Sequence, residues 1–189
     1  MSLSLSPRIV VDSELVLQAI QPDDAETLFA LVEKNRLHLR KWLPWLDFNT
    51  EVAHSENFIR EARAEASAQK GLVTTIRYRG QHCGIIGFNS ILSLHRICEI
   101  GYWLDADHQG LGIMTRATRA MVDYAFTDLD MNKVGISAAE KNMQSRAIPE
   151  RLGFVIEGTA RDAEWLYDHY VDLVRYAMLR ADWPGTETV

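Results

Sequence analysis

An α+β fold is predicted for this chain of 189 residues, and three observations predict it. Apolar residues keep a helical period from about residue 22 to 69. The period then changes to that of strands over three consecutive segments. Beyond them lie a strongly amphipathic helix, a strand, a short helix and two closing strands. No repeat, linker or low-complexity segment breaks this order, so residues 1–189 read as one domain.

The elements follow in sequence. Residues 14–20 (ELVLQAI) form a strand. Pro22 then stands at a first helical position with Asp23 and Asp24 in the first turn, where helices favour acids. Ala25, Leu28, Phe29 and Val32 keep helical spacing to about Lys34. Residues 35–45 read as a second, shorter helical piece broken by Pro44, and 51–69 as a longer helix stopped by Gly71. Strands are expected at 72–79, 82–92 and 97–104, with turns at Gly80-Gln81 and near His95. The amphipathic helix carries Ile113, Ala117, Ala120, Met121, Tyr124 and Ala125 on one face. A strand at 133–139, a helix at 143–151 and strands at about 154–164 and 170–179 follow, and the tail 183–189 reads as frayed.

Composition narrows the function. With 47% hydrophobic and 24% charged residues, the chain has the balance of a folded domain. Its net charge of −6 argues against nucleic acid as a partner, since polyanions are held by clustered Lys and Arg. No basic and apolar leader and no stretch of roughly 20 apolar residues is seen, so neither a signal peptide nor a membrane partner is expected. Cys83 and Cys98 are too few for a disulfide framework or a four-ligand zinc site. On a hairpin turning near 94–96, Cys98 should face about Leu92, which leaves two free thiols in a cytoplasmic protein. The six histidines show no metal-ligand spacing, and no metal is expected. Asp168-His169 reads as a turn.

The segment between the third of those strands and the amphipathic helix is the most informative. There Gln109-Gly-Leu-Gly-Ile-Met114 brings two glycines to the start of a long helix. Glycine permits close backbone approach, and a helix start offers unpaired N–H groups with partial positive charge, so an anion can bind without a basic patch. The P-loop lysine is absent, as is the third glycine of a dinucleotide fingerprint.

This segment resembles the pyrophosphate-binding Gln/Arg-x-x-Gly-x-Gly/Ala motif of the GCN5-related N-acetyltransferases, with Met114 departing from the usual small residue. The Gly-Ile-Met ending is similar to the Rim-type branch, which acetylates N-terminal Ser or Ala of ribosomal proteins. Trp42-Leu-Pro-Trp45, Ile100-Gly-Tyr-Trp-Leu104, Asn142-x-x-Ser145, Leu152-Gly-Phe154 and Ala163-Glu164 match that branch in order, over about residues 10–180. The resemblance implies a central, mixed, mostly antiparallel twisted sheet of about seven strands flanked by helices. It also implies acetyl-CoA as cosubstrate, an amine acceptor, direct transfer and a homodimer.

By the same resemblance, the backbone of Gln109, Gly110, Leu111, Gly112, Ile113 and Met114 would hold the pyrophosphate. The strand edge at Tyr102, Trp103 and Leu104 would pair with the pantetheine amides, and Asn142 would lie beside the pantetheine arm or act only as a helix cap. Many members place a thiolate-assisting tyrosine where this chain has Pro149. The branch points instead to Ser145 as a hydrogen-bond donor to sulfur, the alternative being a polar first-turn residue. Pro149 should also free the Ser145 carbonyl from its helical bond.

Glu164 matches the proposed base. A hairpin turning near Asp168 would set it roughly opposite Asp172, raising one pKa of the pair, unless the register slips by one. Glu99 is the alternative base, or the partner of an arginine. Trp42 and Trp45, three apart on one helical face, wall an acceptor cleft with Trp103 or belong to the core. An α-amine of pKa near 7.8 is on the order of 30% neutral at pH 7.5 while a lysine is about 0.1% neutral, so a modestly equipped site suits an α-amine. The resemblance, to which this arithmetic adds, implies a protein N-terminus as the acceptor. The alternatives are a small amine, antibiotic or amino-acid conjugate, or no acceptor at all in an acyl-CoA-binding module.

Overall fold

The structure, a computed structural model, describes residues 7–185. The expectations for the N-terminal segment 1–6 and for the last residues, 186–189, lie outside them. Among the described residues, eight strands form one sheet in the order β1-β2-β3-β4-β5-β6-β8-β7. They are β1 (Arg8–Val10), β2 (Leu15–Ala19), β3 (Leu72–Tyr78), β4 (Gln81–Leu92), β5 (Ile97–Leu104), β6 (Lys133–Ala139), β7 (Val155–Leu166) and β8 (His169–Leu179). The helices are α1 (Ala25–Leu39), α2 (Val52–Ser67), α3 (Ile113–Thr127) and α4 (Met143–Arg151). All strand pairs are antiparallel except β5 with β6.

The eighth strand is β1, three residues long and paired to β2 across a turn that Asp12 closes by accepting from the N–H groups of Glu14 and Leu15 at 2.8 and 2.9 Å. So short a strand leaves no periodic signal.

Each face of the sheet is covered by a separate apolar layer. Ile86, Phe88, Cys98, Ile100 and Ile136 pack against α3, whose Ile113, Ala117, Met121, Val122 and Ala125 recur at helical spacing and are buried. On the other face Trp103 packs with Leu28, Val32 and Leu39 of α1 and Ile59 and Ala62 of α2. Alternation along β5 therefore sends Tyr102 toward the first layer and Trp103 into the second.

Four local expectations need correction. The piece at 35–45 is not a second helix: α1 runs on to Leu39 because nothing at Lys34–Asn35 breaks it, and the buried Asn35 amide bonds back to Leu31 O at 2.9 Å. Trp42 and Trp45 consequently sit in the turn after α1, not on a helical face. The tail is held as far as Trp183, whose indole N–H reaches Asp123 Oδ1 at 2.7 Å and whose ring meets Phe126. Cys98 faces Ile91, one residue from the expected register. Both cysteines are free and buried, and burial pushes each thiol up to about 12.

Candidate active site

The β5–β6 ladder ends at Ile100–Ile136 although β5 continues to Leu104 and β6 to Ala139. Beyond that point the strands splay, and residues 101–104 have no strand partner on the β6 side. A cleft of about 1580 Å³ opens there, lined by Gly101–Leu104, Ser137–Ala139, the loop 108–116, and Asn142, Ser145 and Arg151. It continues past the sheet to Trp42, Trp45, Phe48, Phe58, Asn89, Glu99 and Glu164.

The glycine loop forms the cleft's first wall. Gly110 and Gly112 adopt φ of +76° and +71°, and Gly112 is the N-cap of α3 in the left-handed conformation. The first N–H groups of α3 have no partner within the helix and stand at the cleft. Ile113 and Met114 bury their side chains in the core, so only their backbone is available to a ligand. That explains why a methionine is tolerated where the related motif has a small residue. Arg116, paired to Asp12, and Arg151, donating to Thr115 Oγ1 at 2.7 Å, flank this end with positive charge.

α4 forms the opposite wall. Asn142 caps it, accepting from Ser145 N at 3.1 Å. Pro149 lies inside the helix and removes the N–H that the Ser145 carbonyl would accept. The carbonyl instead accepts from Tyr102 Oη at 3.0 Å, while Ser145 Oγ lies 3.5 Å from the same phenol. Burial pushes the Tyr102 hydroxyl up to about 12, so it remains a donor.

At the far end, Glu164 does not face Asp172. β7 carries extra residues after Ala160, so Glu164 pairs with Val171, and Asp172 accepts from Asp162 N at 2.8 Å. The Glu164 carboxyl is pushed up by burial alone. Glu99 is half-buried in the cleft and, among the described residues, has no arginine partner. Beside it, Asn89 is the extra residue of a β-bulge in β4 and lies across Gly101, where a Cβ would come within 2.4 Å of its amide nitrogen. Trp42 and Trp45 are partly buried and Phe48 is exposed at the mouth. Tyr167, from the β7–β8 turn, fastens this aromatic segment by donating to Leu43 O. Trp103 is buried beneath α1 and touches the cleft only in part.

Sequence reasoning missed Asn89, Tyr167 and a buried Asp105. Asn89 owes its place to a bulge, and the other two act on residues 70 or more positions away. None leaves a local pattern.

A splayed parallel pair beside a glycine-capped helix, with the cleft crossing the sheet, is the architecture of a coenzyme A-dependent acyltransferase. The comparisons agree. The acetyltransferase (GNAT) domain family matches residues 14–155. The putative ribosomal N-acetyltransferase YdaF of Bacillus subtilis (strain 168) is 36% identical over 176 residues, 93% of this chain and 96% of that protein. The ribosomal-protein-serine acetyltransferase of Escherichia coli (strain K12) is 31% identical over 180 residues, 93% and 98% of the two chains. The solved structure of RimL, a ribosomal L7/L12 alpha-N-protein acetyltransferase in complex with coenzyme A, superposes with a TM-score of 0.89 at 27% identity, covering 92% of this chain and 98% of that one. This chain belongs to the GNAT family, in its Rim-type branch, and is an N-acetyltransferase that uses acetyl-CoA. Among the described residues no helix is long and apolar enough to cross a membrane.

Proposed function

We propose that this enzyme acetylates the N-terminal α-amine of a protein, with Ser or Ala as first residue and a ribosomal protein as the acceptor class. The observation that carries the reading is the far end of the cleft. It is open, walled by Trp42, Trp45 and the exposed Phe48, and it presents Glu99 and Glu164 with no cation against either among the described residues. An open aromatic groove admits a chain end, and two carboxylates attract its ammonium. The acceptors named for YdaF and the serine acetyltransferase support the same class.

In this reading the pyrophosphate of acetyl-CoA lies on the N–H groups of Gln109–Met114, and its pantetheine fills the gap in the sheet along Tyr102–Leu104, beside Asn142. The acceptor enters from the Trp42 side. Glu164, kept receptive to a proton by burial, takes one from the ammonium directly or through water, and Glu99 is the second candidate for that task. The neutral amine attacks the thioester carbonyl directly. Nitrogen–carbon bond formation expels the CoA thiolate, which Ser145 Oγ supports by hydrogen bonding. A serine hydroxyl is too weak an acid to give up its proton, so the thiolate takes the second proton, which nitrogen sheds as the amide forms, or one from solvent.

Calorimetric titration with acetyl-CoA, followed by thiol release with Ser- and Ala-initiated peptides, tests this. Binding with peptide-dependent thiol release is expected. Release only with small amines would replace the acceptor class, and binding without release from any Ser- or Ala-initiated peptide would overturn the proposed acceptor. The Rim-type reading also implies a cytoplasmic homodimer. Exposed Val155 and Leu179 lie on one face of β7 and β8 and supply an apolar patch for it, and sedimentation measures the outcome.

A further inference from the structure

Asp105 is the first residue after β5, and only 1% of its side chain is exposed. Burying a carboxylate is costly unless partners surround it, and here they do. Lys34 Nζ stands 2.8 Å from Oδ2, His108 Nδ1 2.8 Å from Oδ2, and Asn35 Nδ2 2.9 Å from Oδ1. Burial would raise the Asp105 pKa, yet the bonds from Lys34, Asn35 and His108 hold it near 2. The buried Asn35 completes the joint by accepting from Ala106 N at 2.9 Å. Farther on, the Gln109 amide meets His38 Nε2 at 2.9 Å, and Lys34 also pairs with Asp107 at 2.7 Å.

One stretch of α1 (Lys34, Asn35 and His38) thus grips residues 105–109 immediately before the two positive-φ glycines. Those glycines have wide conformational freedom, and ordering them at binding would cost entropy. Something upstream must fix where the loop begins.

We infer that Asp105 and Asn35 form a clamp that positions the donor-phosphate loop, holding it on α1 so that its N–H groups are preorganised for the pyrophosphate. The clamp touches no reacting atom, so its residues are positioning residues. Because α1 leads directly into the Trp42–Trp45 turn, the same joint sets the spacing between the acceptor wall and the donor loop. The inference rests on the loop being the pyrophosphate site.

Two ligands separate the possibilities: CoA, which carries the pyrophosphate, and S-acetylpantetheine, which does not. CoA is measured by calorimetry and S-acetylpantetheine by NMR titration, on the full chain. In the unaltered protein CoA should bind far more tightly; equal affinities would remove the loop reading itself, before any variant is made. Asn35→Ala and Asp105→Asn should weaken CoA on the order of tenfold and leave S-acetylpantetheine unchanged. The half-exposed Lys34 gives a milder variant that folds if those do not: Lys34→Met should weaken CoA a few-fold, and Lys34→Arg should restore it. Parallel loss of both ligands, a general loosening of the fold, would overturn the clamp, as would unchanged CoA affinity in folded variants.

Discussion

Replacing Gly112 with alanine isolates the glycine that caps α3. A Cβ built there meets no atom within 4 Å, so the substitution clashes with nothing. Its cost is conformational: an L-residue at φ +71° is strained by ~1–2 kcal/mol, partly offset by ~0.4–1 kcal/mol from a less flexible unfolded chain. The net is about 1 kcal/mol, a factor of roughly five in an equilibrium constant. A thermodynamic cycle fixes where it appears. With CoA held on the α3 N–H groups as proposed, the bound protein needs the left-handed cap and must lose the whole amount. If the empty loop keeps that conformation, the free protein loses the same amount and the affinity stays constant. If it relaxes, the free protein is spared and Kd rises about fivefold. Urea unfolding with and without saturating CoA, together with calorimetry, measures all three sides. Gly112→Asn should cost less, because asparagine tolerates the left-handed region. An alanine variant whose bound form is as stable as the parent, or an asparagine variant as costly as alanine, would refute the argument.

Other substitutions test the remaining cleft. Ser145→Ala should reduce kcat by about 10- to 100-fold, the worth of one hydrogen bond to a charged group, with CoA affinity unchanged. Tyr102→Phe leaves the Ser145 carbonyl unpaired and should destabilise by ~1–3 kcal/mol. Adding Pro149→Ala, which returns a helical N–H to that carbonyl, should recover part of the loss in a denaturation series. Glu164 has its pKa raised by burial. The stability this confers is therefore complete below its unfolded pKa near 4.5 and is lost as pH rises through the higher folded value. Glu164→Gln should accordingly be more stable than the parent at neutral pH and indistinguishable from it below pH 4.5, while flattening the acid limb of the pH–rate profile. Gly101→Ala should displace the Asn89 amide and raise KM for the acceptor without changing CoA binding.

The periods of 3.6 and 2 carried most of the architecture, because α3 and β3 to β5 each bury one regular face. The glycine-capped start of α3 was legible because two glycines before a helix are written in consecutive residues. So was the fate of the Ser145 carbonyl, since proline's missing N–H is a local fact, although that Tyr102 would claim it was not. The Glu164–Asp172 pairing failed because strand alternation cannot foresee the extra residues of β7. The end of α1 was misplaced because Asn35, a polar residue, takes the buried position where the apolar stripe of Leu28 and Val32 would continue. Asp105 escaped notice for a different reason. A charged residue after a strand looks like an ordinary loop residue until a helix 70 positions earlier is laid over it.

The short parallel ladder also has a mechanical meaning. Four residue pairs, from Ile97–Lys133 to Ile100–Ile136, join the half of the sheet made by β1 to β5 to the half made by β6 to β8. Seven pairs join β6 to β8 and seven join β3 to β4. The molecule therefore has a seam along its middle. On the proposed placement a pantetheine chain in the gap extends that seam as a staple, and an acetyl-CoA-loaded molecule pulled from its ends should resist parting at β5 and β6 longer than an empty one.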